Sequence, residues 1–330
     1  MNKPNPKVQD QVARTKTKAL CRAIEKIPTG GGAFDARKAF GIFLQHTLCS
    51  LVGANRRVGE PLFMVHYHPR LMGFQPIDPA VPFPNIEEIG AAQRAYLEAV
   101  QANAPFTDLL TPVHAYFLGE SGKGLGQFFT PWDLSSLVGG IAVDHQKRHG
   151  PAGRLRVSDP CCGAGGLLLA YIHERAEFQG EDWDARLVEP GVAHDLATNV
   201  RIHANDIDPA CAAMTALQLT AAQFIHMAPL AGVHIEVGTT LVGERQVVYK
   251  SMSRFAVPGG VSAMGSKLRL TDLMLADFYR KKPGGRTAEE DARMDLVLGN
   301  PPFGAAANSA WGRVMGHVLA SEKARKESAK

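Results

Sequence analysis

Val157-Ser-Asp-Pro-Cys-Cys-Gly-Ala-Gly-Gly166 decides how the rest of this 330-residue chain is read. A short apolar run ends in an acid and a proline. Glycines follow, and then a long segment with helical periodicity, so the stretch reads as the turn from a strand into a helix. Glycine lets the backbone turn sharply and approach a ligand closely, and the helix start can take a negative group such as a carboxylate. Dinucleotide-binding enzymes use a glycine loop too, and ordinary strand–helix turns also contain glycine. The form here differs from G-x-G-x-x-G, because Asp159-Pro160 stands ahead of Cys-Cys-Gly-x-Gly-Gly.

Working outward, strands and helices alternate. Residues 154–158 read as a strand and 165–178 as the helix after it. Residues 201–208 form a second strand, 209–227 a second helix and 234–237 a third strand. Residues 295–298 form a fourth. The polar stretch 179–199 reads as an inserted loop, and 242–292 as a Gly/Lys/Arg-rich segment with one helix near 271–281. This alternation predicts an α/β fold with a parallel sheet and helices on both faces. Everything before residue 120 reads as helical: 11–26, 33–51, 85–103 and 107–118, with a long Pro/Gly/Arg-rich loop over 52–84. Thr130-Pro-Trp-Asp133 has the form of a helix start, with Thr at the cap, Pro next and an acid in the first turn.

Composition limits the function classes. The hydrophobic content of 45% supports a sizeable core, and the formal charge of +4 is compatible with nucleic acid without pointing to it. The five cysteines, Cys21, Cys49, Cys161, Cys162 and Cys211, form no C-x-x-C pair, which predicts reduced thiols in a cytoplasmic protein. No apolar run reaches the ~20 residues of a membrane span, so no membrane association is expected. His66-Tyr-His68 has the spacing of a metal pair but no further clustered ligand, so no metal site is expected.

Two further motifs carry chemistry. Asn205-Asp-Ile-Asp-Pro209 closes the second strand. An acid there can accept from both hydroxyls of a ribose; Asp208, before Pro209, suits the cap of the next helix, and a capping role for both Asp206 and Asp208 is the structural alternative. Asp206 stands further from the loop than the ~20 residues of a compact unit, and the 179–199 stretch accounts for most of the excess. Asp295-Leu-Val-Leu-Gly-Asn-Pro-Pro-Phe303 delivers an amide, two prolines and an aromatic ring to the end of a strand.

Taken with Gly126-Gln-Phe-Phe-Thr-Pro131, these motifs and their order resemble N6-adenine DNA methyltransferases of the gamma arrangement, especially the modification subunits of type I restriction systems. The resemblance covers about 105–304. It implies a Rossmann-like methyltransferase core at 120–304, a helical N-terminal domain at 1–119 and a helical, charged tail at 305–330. It implies S-adenosylmethionine as cofactor. Gln127, Phe129, Thr130 and Pro131 would fold over its methionine end, with the Thr130 hydroxyl for the carboxylate and Phe129 as an apolar face. Asp159 would sit by the ammonium in a loop with Pro160 and Cys162. Gly163 and Gly165 would give the backbone room, and Asp206 would hold the ribose. The family usually carries an acid near the adenine ring where this chain has Thr239.

At the amine, the Asn300 side-chain oxygen and the Pro301 carbonyl would accept the amino hydrogens. Pro302 would stiffen the loop and Phe303 would stack on a flipped-out base. The implied partners are DNA and a specificity or complementing subunit. The family continues after this motif with three more strands and a target-recognition region, so the resemblance implies a truncated chain with an incomplete parallel sheet. Two other functions share these motifs. One is a non-catalytic or partner-dependent remnant that binds cofactor or DNA. The other is a protein-glutamine methyltransferase, against which the Gly-Gln-Phe-Phe-Thr-Pro segment argues.

Overall fold

The computed structural model describes residues 6–30, 34–57, 61–75, 86–119, 129–149, 155–179, 190–239, 245–256 and 296–299. The strands are β1 (Phe63–Tyr67), β2 (Leu155–Asp159), β3 (Val200–Asp206), β4 (Gly232–Val237), β5 (Gln246–Ser253) and β6 (Leu296–Val297). They form one sheet in the order β1-β5-β4-β3-β2-β6. Strands β4, β3, β2 and β6 run parallel, while β1 and β5 add an antiparallel flank. Leu155, Val157, Val200 and Ile202 have no exposed surface. Each such side chain contributes about 1.5–3 kcal/mol of burial.

The order of the parallel strands places the site. The chain steps outward from β2 to β3 to β4, then returns to the far side of β2 with β6. Strand order therefore reverses at β2. In open α/β sheets the crevice beyond the carboxyl ends of the strands at such a switch point is where ligands bind. The fold is a Rossmann-like α/β sheet, as the alternating pattern predicts, and the four predicted parallel strands are all present.

Eight helices are described: α1 (Pro6–Ile24), α2 (Ala36–Arg57), α3 (Ile86–Ala102), α4 (Leu110–Leu118), α5 (Trp132–His149), α6 (Gly166–Gln179), α7 (Pro190–Asn199) and α8 (Pro209–Ile225). Helix α8 is buried on every side from Cys211 to Gln223. Its alanines make it apolar around its circumference, which suits a helix enclosed by protein. It lies against β3 and β4 and also against α2 and α3. One hydrophobic cluster therefore runs from Leu20 and Phe43, through Tyr96 and Leu217, to Ile202 and Ile235. Thr220 on α8 and Tyr249 on β5 share a buried hydrogen bond of 2.8 Å, fixing the antiparallel flank to the same helix.

Three elements correct the sequence reading. Residues 63–67, expected in a loop, form β1, so the region before residue 120 is not wholly helical. Residues 246–253, read within an irregular segment, form β5. These two strands stabilise each other across the chain, with Phe63 opposite Ser253 and Tyr67 opposite Tyr249. Pairing between such distant segments leaves little local pattern. Residues 190–199, expected in a polar loop, form α7. Arg175 on α6 joins it through Asp195 at 2.9 Å and reaches Gln146 on α5 at 2.9 Å. His68 of the His-x-His pair caps a short 3-10 helix, its Nδ1 accepting from the Leu71 amide at 3.3 Å. The helix near 271–281, the tail at 305–330 and Asp295 lie outside the described residues.

Helices α5 and α6 meet closely at Gly139. A Cβ there would stand 2.9 Å from the Ala170 carbonyl carbon and 3.0 Å from the Tyr171 amide nitrogen. At neighbouring Gly140 a Cβ would meet only the Glu174 carboxylate, at 3.9 Å. Gly139→Ala is therefore expected to lower stability by about 1–3 kcal/mol in urea unfolding. Gly140→Ala is expected to be neutral, or to stabilise by up to about 1 kcal/mol through helix propensity.

Candidate functional site

The loop between β2 and α6 is held in a shape that needs glycine twice. Gly163 has φ +54° and Gly165 φ +89°. A Cβ on Gly163 would come within 3.1 Å of the Phe129 ring, and one on Gly165 within 3.1 Å of Thr215. The glycines thus serve both the left-handed backbone and close packing from two other segments. Cys162 is buried in this loop, and burial pushes its thiol well above the ordinary range, as fits a small packing residue.

Asp159 ends β2 and Asp206 ends β3, and both carboxylates are buried. Asp206 Oδ2 accepts from the Gly163 amide at 2.8 Å, and its Oδ1 from the Asp208 amide at 2.9 Å. Asp159 Oδ1 accepts from the Cys161 amide at 3.0 Å. Burial raises the Asp159 carboxyl to about 7, and the negative charge of Asp206 adds to the rise against the opposing Cys161 hydrogen bond. Asp206 is also raised, by burial first and then by the charge of Asp208, against its backbone hydrogen bonds. Among the described residues no cation contributes to either acid. Two buried carboxylates without a cation between them suit a positively charged ligand.

Asp208 caps α8, its Oδ1 accepting from the Ala210 amide at 2.9 Å, as the sequence predicts for the acid before Pro209. Asn205, unremarked in the sequence, ties three strand ends together. Its side-chain amide donates to the Pro160 carbonyl at 3.2 Å and the Gly238 carbonyl at 3.0 Å, while its backbone carbonyl accepts from Cys162 at 2.9 Å. Thr239 follows Gly238 just beyond β4 and is half-buried.

Phe129 lies over Gly163 and meets the His114 ring edge-on at 4.8 Å between centroids. Thr130 is half-buried next to it, and Pro131 is exposed and accepts from the Ser135 amide at 2.9 Å as α5 begins. Gln127 lies outside the described residues.

Strand β6 brings its own end to this place. The Leu298 amide donates to the Ser158 carbonyl at 2.6 Å. A Cβ on Gly299 would stand 3.4 Å from Pro160 and 3.7 Å from Asp159 Oδ1. The chain therefore leaves β6 beside the glycine loop. Asn300, Pro301, Pro302 and Phe303 follow immediately and lie outside the described residues.

The match of a family model extends over this whole arrangement. The N-6 DNA methylase model matches residues 105–317, more than half of the chain. The chain belongs to the N-6 DNA methylase family. Comparison with curated proteins finds no match. Similar solved structures include the following three. A class I S-adenosylmethionine-dependent methyltransferase from Listeria monocytogenes shares 12% identity at a TM-score of 0.38, over 70% of this chain and 55% of that one. A modification subunit of a type I restriction enzyme from Vibrio vulnificus YJ016 shares 13% at 0.33, over 70% and 56%. A type I restriction-modification methyltransferase subunit from Streptococcus thermophilus shares 14% at 0.35, over 69% and 59%. The chain thus spans little more than half the length of each.

The raised Asp159 carboxyl makes stability depend on pH. Its folded value of about 7 exceeds an unfolded value of about 3.9. The folded state therefore binds more protons between those limits. The associated stability is fully present below about pH 4 and is lost as pH rises through about 7. In ligand-free chain, denaturation is expected to need less urea at pH 7.5 than at pH 5.5, and Asp159→Asn is expected to reduce that difference.

Proposed function

We propose that this N-6 DNA methylase family member binds S-adenosylmethionine at the β2 switch point and transfers its methyl group to adenine N6 of DNA. The observation that carries the reading is the pair of buried carboxylates, Asp159 and Asp206, on which no cation among the described residues acts. They fit a ligand with an amino-acid ammonium at one end and a ribose at the other. Bound S-adenosylmethionine supplies an electrophilic methyl group on a sulfonium.

This chain's residues do the rest in the proposal. Asp159 holds the ammonium beside the glycine loop. Asp206, already oriented by the Gly163 and Asp208 amides, accepts from the ribose hydroxyls. Phe129 covers the loop, and Thr130 and Gln127 engage the methionine end with Pro131 setting the turn. Thr239 lies on the adenine side. Asn300 and Pro301 accept the two hydrogens of the target amine, which favours a tetrahedral nitrogen and takes up its developing charge. Pro302 stiffens that segment and Phe303 stacks on the base after it leaves the duplex. Nucleophile and methyl are then held together, which removes much of the entropic barrier.

We further propose that 1–119, 120–304 and 305–330 act as N-terminal, methyltransferase and tail regions in a cytoplasmic protein of the restriction-modification type, completed by a specificity or complementing subunit. Labelled-methyl transfer to unmethylated DNA, with and without such a subunit, tests this. Label in N6-methyladenine is the expected outcome, and label only in a glutamine side chain of protein contradicts it. Asn300→Ala is expected to abolish transfer while leaving cofactor affinity within about threefold; equal turnover by that variant removes the amine-site assignment.

Cofactor affinity also gains a pH dependence. The ammonium binds the ionised form of Asp159, whose carboxyl stands at about 7 in the ligand-free chain. Affinity measured by calorimetry is expected to weaken by up to about tenfold per pH unit below 7 and to level off above 8. Asp159→Asn is expected to bind weakly at every pH.

A further inference from the structure

The geometry points to Gln218 and Thr215, one turn apart on α8, as positioning residues for the glycine loop, and through Gln218 to α4 as a working part of the cofactor site. The inference rests on the cofactor role proposed for that loop.

Two consecutive loop carbonyls are held by α8. Thr215 Oγ1, fully buried, donates to the Gly163 carbonyl at 2.9 Å. Gln218 Nε2 donates to the Ala164 carbonyl at 2.8 Å. Because a peptide unit is planar and trans, fixing the Gly163 carbonyl toward α8 directs the Ala164 N–H to the opposite side. The loop's shape is therefore set by side chains outside it, in addition to its glycines.

Gln218 carries the constraint further. Its Oε1 accepts from the Leu109 amide at 2.7 Å and the Leu110 amide at 3.1 Å, and its Nε2 donates also to Asp108 Oδ1 at 2.9 Å. Both N–H groups and both lone pairs of the amide are thus in use. Asp108 in turn accepts from the Thr111 amide at 3.0 Å, and its Oδ2 stands 3.0 Å from where a Cβ would lie on Gly166, the first residue of α6. The start of α4 is joined to the loop on this side. One turn further along, His114 of α4 packs against Phe129, which covers Gly163. Helix α4 grips the loop at two points, so ordering of the loop by a ligand is transmitted to α4.

Two measurements on the full chain test this, with S-adenosylhomocysteine as the probe. In hydrogen exchange, the probe is expected to slow exchange at residues 161–166 and, together with them, at Leu109, Leu110 and Thr111. In calorimetry, Thr215→Val, which keeps the shape but removes the donor, is expected to weaken probe binding about five- to tenfold, and Thr215→Ser to restore most of it. Protection of the loop without protection of 109–111, or equal affinity for the Val and Ser variants, overturns the positioning role while leaving the cofactor site intact. No protection at the loop and no heat of binding overturns the cofactor reading and this inference with it.

Discussion

The hydrogen bond from the Gly163 amide to Asp206 Oδ2, 2.8 Å long, joins the glycine loop to the end of β3. Asp159 and Asp206 themselves end the paired parallel strands β2 and β3, so both acids face the same crevice end of the sheet. The acid that receives the hydrogen bond is buried, so the bond is well shielded from water, and it favours the ionised carboxylate against the cost of that burial. Each neighbouring feature keeps it in place. Asn205 spans the ends of β2 and β4, Thr215 and Gln218 hold the loop from behind, and the Asp208 amide fixes the other Asp206 oxygen. Burial raises the proton affinity of both acids, and the charge of Asp206 adds to the rise at Asp159. A cationic ligand would counter that rise, so the raised proton affinity of the ligand-free site and the proposed cofactor affinity have one origin.

The N-terminal helices are part of the same construction. Helix α8 is the common wall: its outer side meets α2 and α3, and its inner side meets the sheet and carries the loop-holding residues. Strand β1 extends the sheet from within the N-terminal region. The segment before residue 119 therefore contributes both helices and a strand to the one hydrophobic cluster.

How much was legible in the sequence depended on whether the signal was local. Strands β2, β3, β4 and β6 and helices α6 and α8 carry their own punctuation: apolar runs, glycines, and Asp208-Pro209 as a cap. The places of Asp159, Gly163 and Asp206 at strand ends and in a glycine turn are short-range features, while the roles expected of them came from the resemblance of their motifs. Strands β1 and β5 were hidden because each is stabilised by the other across a long separation, and α7 because only three residues of a short polar stretch, Val192, Leu196 and Ala197, are buried apolar anchors. Gln218, Thr215 and Asn205 were missed for a similar reason. Inside an alanine-rich helix or at a strand end, a Gln, Thr or Asn looks like filler, and only the folded chain brings it to the loop. One clue was present: four polar residues, Thr215, Gln218, Thr220 and Gln223, are buried within an otherwise apolar helix, and polar groups buried in such a place need partners.

The proposed cofactor site stands or falls with the carboxylates of Asp159 and Asp206 at the β2 switch point. Calorimetric titration of S-adenosylmethionine into the wild-type chain and into Asp206→Asn tests it most directly. The account predicts saturable one-site binding by the wild type and a loss of tenfold or more in the variant, because charge-assisted bonds to a ribose would be lost. Equal affinity in the two proteins would contradict it.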